Sequence, residues 1–561
     1  MIEVDQPMGA TDRNFRHVLT AAGIALVLFM PSLANGLAYD DVPLLLGDPR
    51  VRPPYAWREV FTRPYWNVPG YEHELYRPLA TASFALDWVV ANAAPAWAHL
   101  VNVLLHAVAT ALVALLLLEF VAPAAAFCGA LIFAAHPAHV EAVANVAGRA
   151  ELLAGVFFLA ACVLWLRRDR AGNAKGRVAA VAACAAAAVF SKESAIMLPA
   201  VLALLDFAAG RWELRKASVS AYLRAHGGAL AVASSGMAAY LAARFAVLGF
   251  ERPSILHPAA AGAATAAQLR LTALQAWPEY ARLLFFPRTL LIDYGPQIIA
   301  PATSWTPAAT AGLLLLVGLL GLGGVTLARG RRFVALALLW FPVTIFPVSN
   351  LAVTIGVLVA ERTLYVPSVA LSLGVAGGVA AALRAGSVGW KRFAWVVIGV
   401  VALAFSVRSL QRIPEWDSTE RIFRALVRDR PDSYRAHWYL GRLERERGDT
   451  AAAAAHFAEA LRLWPYRERL VMEAAALAVD QRRLGEARAL ASFATQQWPD
   501  NVAAYRLLAA TSLDLGDTTT ARGAVAAGLR IDPDDDLLIR MREVVFRGGT
   551  SHTTEDHETS P

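Results

Sequence analysis

Asp40 and Asp41 stand side by side in NGLAYDDVPLLLGDPRV, residues 35–51, just beyond the first apolar run of the chain. A carboxylate inside hydrocarbon is expensive, so an acid pair at a helix exit belongs at a membrane surface, where it can take a proton from an incoming hydroxyl. Neighbouring carboxylates do not both point at one proton. One base and one orienting group are therefore expected, with Asp41 slightly favoured as the base.

Three further polar clusters lie at the same predicted ends of apolar runs: His136, His139, Glu141, Asn145 and Arg149 in HPAHVEAVANVAGRAELL; Ser191, Lys192 and Glu193 in SKES; and Glu361, Arg362 and Tyr365 in ERTLYVPS. Glu141, Asn145 and Arg149 recur every fourth residue, a polar face that is tolerated in a membrane only where it lines a cavity or meets partners. His99, Asn102 and His106 form a similar stripe, whose plain alternative is hydrogen bonding between helices. Lys192 and Glu193 have their own plain alternative as an interfacial ion pair. His136 and His139 suggest metal, but Pro137 separates them and no third ligand has helical spacing, so no metal is expected.

A cavity built from these groups suits a sugar linked to a lipid phosphate, which presents its phosphate at headgroup depth. Arg149, Lys192 and Arg362 would neutralise that phosphate and stabilise its departure, while one acid of the pair deprotonates the acceptor hydroxyl. Phosphate leaves readily, so neither a separate general acid nor a cofactor is expected.

The elements that must position these residues are membrane helices. The chain has 561 residues, is 57% hydrophobic and has a mean hydropathy of +0.45, with most apolar residues in runs long enough to cross a bilayer. The net charge of +7 is divided into short basic clusters between apolar runs, as in cytoplasmic loops, and nucleic acid is excluded as a partner. Cys128, Cys162 and Cys184 lie inside apolar runs with no disulfide or metal spacing. Four lysines among 52 basic residues lean toward a bacterial inner membrane.

About eleven spans are predicted: 18–33, read as an uncleaved anchor rather than a removable signal, then 98–120, 122–136, 144–166, 178–191, 194–209, 227–248, 305–327, 333–350, 364–383 and 393–410. Residues 35–97 form an outer loop whose mixed Trp, Tyr and Arg suit short interfacial helices. Residues 267–290 could span, but that would place Arg331 and Arg332 outside, so an interfacial helix is predicted there. The amino terminus is then cytoplasmic, and the acid loop and everything beyond about 411 are periplasmic.

From 412 the chain becomes charged and alanine-rich. Pro431, Pro465, Pro499 and Pro533 recur every 34 residues, the tetratricopeptide period. Leu440, Gly441, Ala453, Phe457 and Ala460 occupy the packing positions of the best unit, and Ala487, Ala494 and Ala521 continue the pattern. The expected fold class is thus all-α: a membrane helical bundle over 1–411, a tetratricopeptide solenoid over 412–547 with a groove for a protein or peptide, and a disordered polar tail over 548–561.

Several motifs in this order resemble the transmembrane and tetratricopeptide-repeat-containing O-mannosyltransferases and their bacterial relatives, built on the GT-C glycosyltransferase fold. They are AYDDVPLLLGDPRV, RPLATASFALDW, HLVNVLLH, HPAHVEAVANVAGRAELLA, SKESAIMLPAV, LIDYGPQ and ERTLYVPS, followed by the repeats. The resemblance implies that the acid pair is the catalytic signature, that the donor is a polyprenyl-phosphate sugar and that the repeats face the compartment of a protein acceptor. An inverting, metal-independent glycosyltransferase is the expectation. A non-enzymatic scaffold recruiting periplasmic partners would tolerate changes in the acid loop, and a lipid-linked glycan transporter would need charges at the bilayer midplane, whereas these charges cluster at one face.

Overall fold

The computed structural model describes residues 8–68, 75–170, 173–212, 219–249, 265–385 and 387–547; the expected disordered tail lies outside them. Among the described residues every regular element is helical. The chain divides into two compact units, Met1–Ile422 and Phe423–Pro561. The first ends later than the expected limit of the membrane domain at 411, because residues 413–419 bond back to the loop that follows the first helix.

Among the described residues of the first unit, seven helices are long and apolar enough to cross a membrane: Asn14–Ala34, Pro95–Leu118, Val146–Leu166, Ala174–Ser191, Val219–Leu248, Pro307–Ala328 and Val388–Asp417. Seven of the predicted spans correspond to them. The prediction at 122–136 becomes the first arm of a pair, Pro123–Ala135 and Pro137–Val143, bent by 49° where Pro137 cannot continue the helix. Those at 333–350 and 364–383 become shorter apolar helices, Arg332–Val348 and Val369–Arg384. The prediction at 194–209 becomes Leu198–Ala208, 11 residues long. At 1.5 Å per residue that helix reaches roughly 16 Å, about half of a hydrocarbon core. The segment read as interfacial forms the helix Ala266–Phe285, with Pro278 inside it and a Thr265/Gln268 capping box at its start, and it is not among the span-length apolar helices.

Burial separates the inner helices from the outer ones. Val146–Leu166 is 72% buried over its apolar window and carries the polar motif, whereas Pro307–Ala328 is 11% buried, as a helix facing lipid would be. Among the described residues the outer loop contributes two helices, Trp57–Thr62 and Pro78–Ala91, and Ala80, Phe84 and Ala85 of the second pack with Leu44, Leu45, Val51, Val146 and Ala150 in one apolar cluster.

The second unit contains three helix pairs: Tyr434–Glu446 with Thr450–Leu463, Glu468–Asp480 with Leu484–Gln497, and Val502–Asp514 with Thr518–Ile531. The helix Asp536–Arg547 follows them. Proline ends the second helix of each pair, because the residue before it is pushed out of the helical region. Trp464, Trp498 and Asp532 accordingly have ψ of 92°, 77° and 94°. Within the pairs, the tight turns place Gly448, Arg482 and Gly516 at φ of 84°, 58° and 78°. Glycine takes this left-handed conformation without strain, whereas arginine does not. Arg482→Gly is expected to stabilise the repeats by up to about 1 kcal/mol, read as a higher melting temperature; an unchanged or lower one would count against strain at this turn.

Candidate active site

The first helix ends at a 3-10 turn, Met30–Ala34, and the acid loop begins at Asn35. Tyr39 adopts a left-handed φ of 53°, turning the chain so that Asp41 opens a single π-helical turn, Val42–Gly47. The Asp41 carboxylate is buried, and each of its oxygens accepts a main-chain N–H, Oδ2 from Ala38 at 3.1 Å and Oδ1 from Ala147 at 2.7 Å. Burial pushes its pKa up to about 7 against the lowering effect of these hydrogen bonds. Asp40 is half-buried. Its charge acts on Arg362 and on the Tyr65 hydroxyl. Asp40 is therefore the more accessible neighbour, whereas Asp41, favoured as base from sequence, is enclosed and tied to main chain.

Three cation–carboxylate pairs surround this loop. Arg362 pairs with Glu141, and its backbone N–H donates to the other oxygen of Glu141 at 2.8 Å. Lys192 pairs with Glu151. Arg77 forms a two-pronged pair with Glu193, at 2.9 and 2.5 Å, while its guanidinium lies 5.2 Å from the centre of the Tyr65 ring. The Glu193 carboxyl is held down at about 2, where Arg77 and Lys192 outweigh the effect of burial. The Tyr65 hydroxyl feels Arg77, Asp40, Asp41 and Arg362 together, and burial raises its pKa. The acid loop, the HPAHVEAV stretch, SKES and ERTLY thus meet in one place, though 321 residues separate Asp41 from Arg362 in the chain. Beside the Lys192–Glu151 pair lies a small cleft of mixed lining, apolar at Ala154, Phe158 and Val366 and polar at Glu151, Ser194, Thr344 and Thr363.

Other expected residues lie in the frame around the site. Arg149 is fully buried; it pairs with Asp87, donates to Asn102 Oδ1 at 2.9 Å and to the Ala98 carbonyl at 2.7 Å, and lies over Phe84. It pins the outer-loop helix Pro78–Ala91 to the inner helices. Asn102 also donates to the Asn145 carbonyl at 3.0 Å, and the Asn145 side chain accepts from Ala147 N–H at 3.1 Å. His99 bonds the Gly36 carbonyl at 2.9 Å and so holds the start of the acid loop. His106 meets the Tyr365 hydroxyl at 2.9 Å, His139 meets Ser368 at 2.9 Å, and His136 meets the Leu284 carbonyl at 3.0 Å. These histidines and Tyr365 pack with Phe133 as an aromatic core behind the site. Glu361 accepts from Leu291 N–H and, at 2.9 Å, from the Tyr294 hydroxyl, joining LIDYGPQ to ERTLY. Its carboxyl is pushed up to about 8 by burial, against the opposing pull of Arg412.

Sequence reasoning missed Arg77, Tyr65 and Glu151. Glu151 was open to discovery as a second charge in the stretch that holds Arg149, since charges in apolar surroundings need partners. Arg77 and Tyr65 lie in a loop already rich in aromatic and basic residues, and no periodicity separates them from it.

Two stretches, 408–468 and 478–542, match tetratricopeptide-repeat families. Over 442 residues, 74% of this chain, it is 27% identical to the mouse protein O-mannosyl-transferase TMTC3 and covers 48% of that protein's length. It is 27% identical over 489 residues to the human protein O-mannosyl-transferase TMTC4, covering 78% of this chain and 65% of the relative. A shorter match, 37% identical over 202 residues, links it to the Drosophila melanogaster protein O-mannosyl-transferase Tmtc2, covering 34% of this chain and 22% of that one. The chain spans about half the length of the mouse relative. Over most of its length the chain is thus similar, at 24–28% identity, to the TMTC-type protein O-mannosyl-transferases, and it carries tetratricopeptide repeats in its C-terminal region.

Proposed function

We propose that this chain is a membrane glycosyltransferase that moves a sugar, mannose or another hexose, from a polyprenyl-phosphate donor to a hydroxyl of a periplasmic protein. The observation that carries the reading is the half-buried Asp40, set beside Asp41 and within electrostatic reach of Arg362, with the Tyr65 hydroxyl under the charges of Asp40, Asp41, Arg77 and Arg362 together. Asp40 removes the proton as the acceptor oxygen attacks the anomeric carbon. The donor phosphate leaves from the opposite face, so one displacement inverts the centre. Arg362 is the cation best placed to meet that phosphate, because its side chain is 25% exposed and that of Lys192 only 6%. The names of the relatives support sugar transfer to protein, and the repeats supply a groove suited to a peptide of the acceptor. The proposed site is an inner membrane, with the acid loop and the repeats on its periplasmic side.

Asp40→Asn keeps shape and removes basicity, so kcat is expected to fall by roughly 10²–10⁴ with donor affinity retained. Arg362→Lys keeps charge but loses the planar fork and is expected to raise the donor KM about tenfold. The assay uses polyprenyl-phosphate mannose and a serine- and threonine-containing peptide. Wild-type turnover by both Asp40→Asn and Asp41→Asn would remove the acid pair as the base, whereas no transfer by the wild-type protein would favour the scaffold.

Asp41 orders the loop as a two-oxygen acceptor, which requires the carboxylate. Activity is therefore present above its raised pKa and lost as pH falls through about 7. A pH profile of kcat/KM that stays flat down to pH 5 would sink this role.

A further inference from the structure

The acid loop does not hold its own shape. Its first residues are fastened by a segment far along the chain: the Asn35 side chain donates to the Ile413 carbonyl at 2.9 Å, Gly36 N–H donates to Asp417 Oδ1 at 3.2 Å, and Tyr39 N–H donates to the Thr419 hydroxyl at 2.9 Å. Ile413 and Trp416 are buried between these points. The approach is close enough that a Cβ at position 36 would lie 2.9 Å from the Asp417 carbonyl oxygen. Tyr39, the residue immediately before Asp40, has the left-handed backbone at φ 53°. A non-glycine residue persists there only where its surroundings over-determine it. The Thr419 hydroxyl acts at that residue's own N–H.

We propose that Asp417 and Thr419 are positioning residues that hold the loop backbone before its turn, at Gly36, and at the turn itself, at Tyr39, so that Asp40 faces the reacting hydroxyl. This rests on the reading of Asp40 as general base. Neither residue is assigned contact with substrate. Each acts through a main-chain N–H, Asp417 at Gly36 and Thr419 at Tyr39. Losing either bond lets the turn relax and carries Asp40 out of line, and a misplacement of about 1 Å far from the chemistry can lower the rate substantially. The phosphate-facing cations lie on other segments, so donor binding is spared.

The test uses the full-length protein with polyprenyl-phosphate mannose and a serine- and threonine-containing peptide. Thr419→Ala and Asp417→Ala are each expected to lower kcat about tenfold, with the donor KM within twofold of wild type. Thr419→Ser and Asp417→Asn keep an oxygen acceptor and are expected to restore kcat. Wild-type kcat in both alanine variants would overturn the proposal. So would a parallel rise in donor KM, or failure of the serine and asparagine variants to restore the rate, since either marks general loss of structure. An inactive Asp40→Asn beside a normal Thr419→Ala removes the clamp alone, whereas a fully active Asp40→Asn removes the base and the clamp together.

Discussion

The Asp41 carboxylate bridges two segments more than a hundred residues apart, accepting one N–H from its own loop and one from Ala147. The arrangement of the site depends on that bridge. Ala147 lies between Glu141 and Glu151, so fixing its main chain against the acid loop also fixes the partners of Arg362 and Lys192 relative to Asp40. The bridge is held because a buried carboxylate oxygen left without a donor costs about 1–3 kcal/mol, while the Ala147 N–H is shared between Asp41 and the Asn145 side chain. Asp48 and Arg50 brace the other end of the loop in the same way. Buried together, they bond each other, and Arg50 also donates to the carbonyls of Pro64 at 2.9 Å and Tyr65 at 3.0 Å.

The three cations of the site each pair with a carboxylate, and the pairing has a physical reason. Buried ion pairs are weak evidence for stability, because desolvation offsets their attraction, but removing one partner is strongly destabilising. Each cation near Asp40 therefore needs an anion at all times. Glu141, Glu151 and Glu193 supply it in this state. On the proposed reading, a donor phosphate exchanges for a carboxylate, so binding replaces one pair by another and strands no charge. Exposure sets the order in which this happens. Arg362 is the most open of the three, Arg77 is 13% exposed, and Lys192 is nearly enclosed, so Arg362 meets the phosphate first and Lys192 mainly supports the electrostatics behind it.

Much of this was legible in the sequence because membranes make polar residues conspicuous. Glu141, Lys192 and Arg362 stood out as charges in apolar surroundings, and the structure brings their segments together around the acid loop. The repeats were legible from proline spacing alone, since each proline stops a helix at the same place. Other features were not legible. Arg149 looks like a phosphate ligand in sequence and becomes a buried tie to Asp87, because the residue type does not reveal which way a side chain points. Leu198–Ala208 looked like a span because apolar content is local, whereas helix length depends on where neighbouring turns fall. Thr419 carries no signal at all, because any hydroxyl at the start of a helix could be a simple cap.

The division of labour between the two units follows from what each can recognise. Around Asp40 the fixed groups are carboxylates, cations and Tyr65, which suit a phosphate, a sugar and a hydroxyl; on the proposed reading, every serine- or threonine-bearing peptide presents that hydroxyl alike. On that reading, discrimination among acceptors comes from contacts remote from the reacting atoms. Such contacts raise the rate only when they hold the acceptor long enough, and at high enough effective concentration, for its hydroxyl to enter the site. A tetratricopeptide groove provides remote contacts along an extended or helical peptide without entering the chemistry. On that reading, repeat-to-repeat variation, such as arginine in place of glycine at the turn of the second pair, bears on recognition, while the acid loop is held by Ile413, Asp417 and Thr419, which lie before the repeats in the chain.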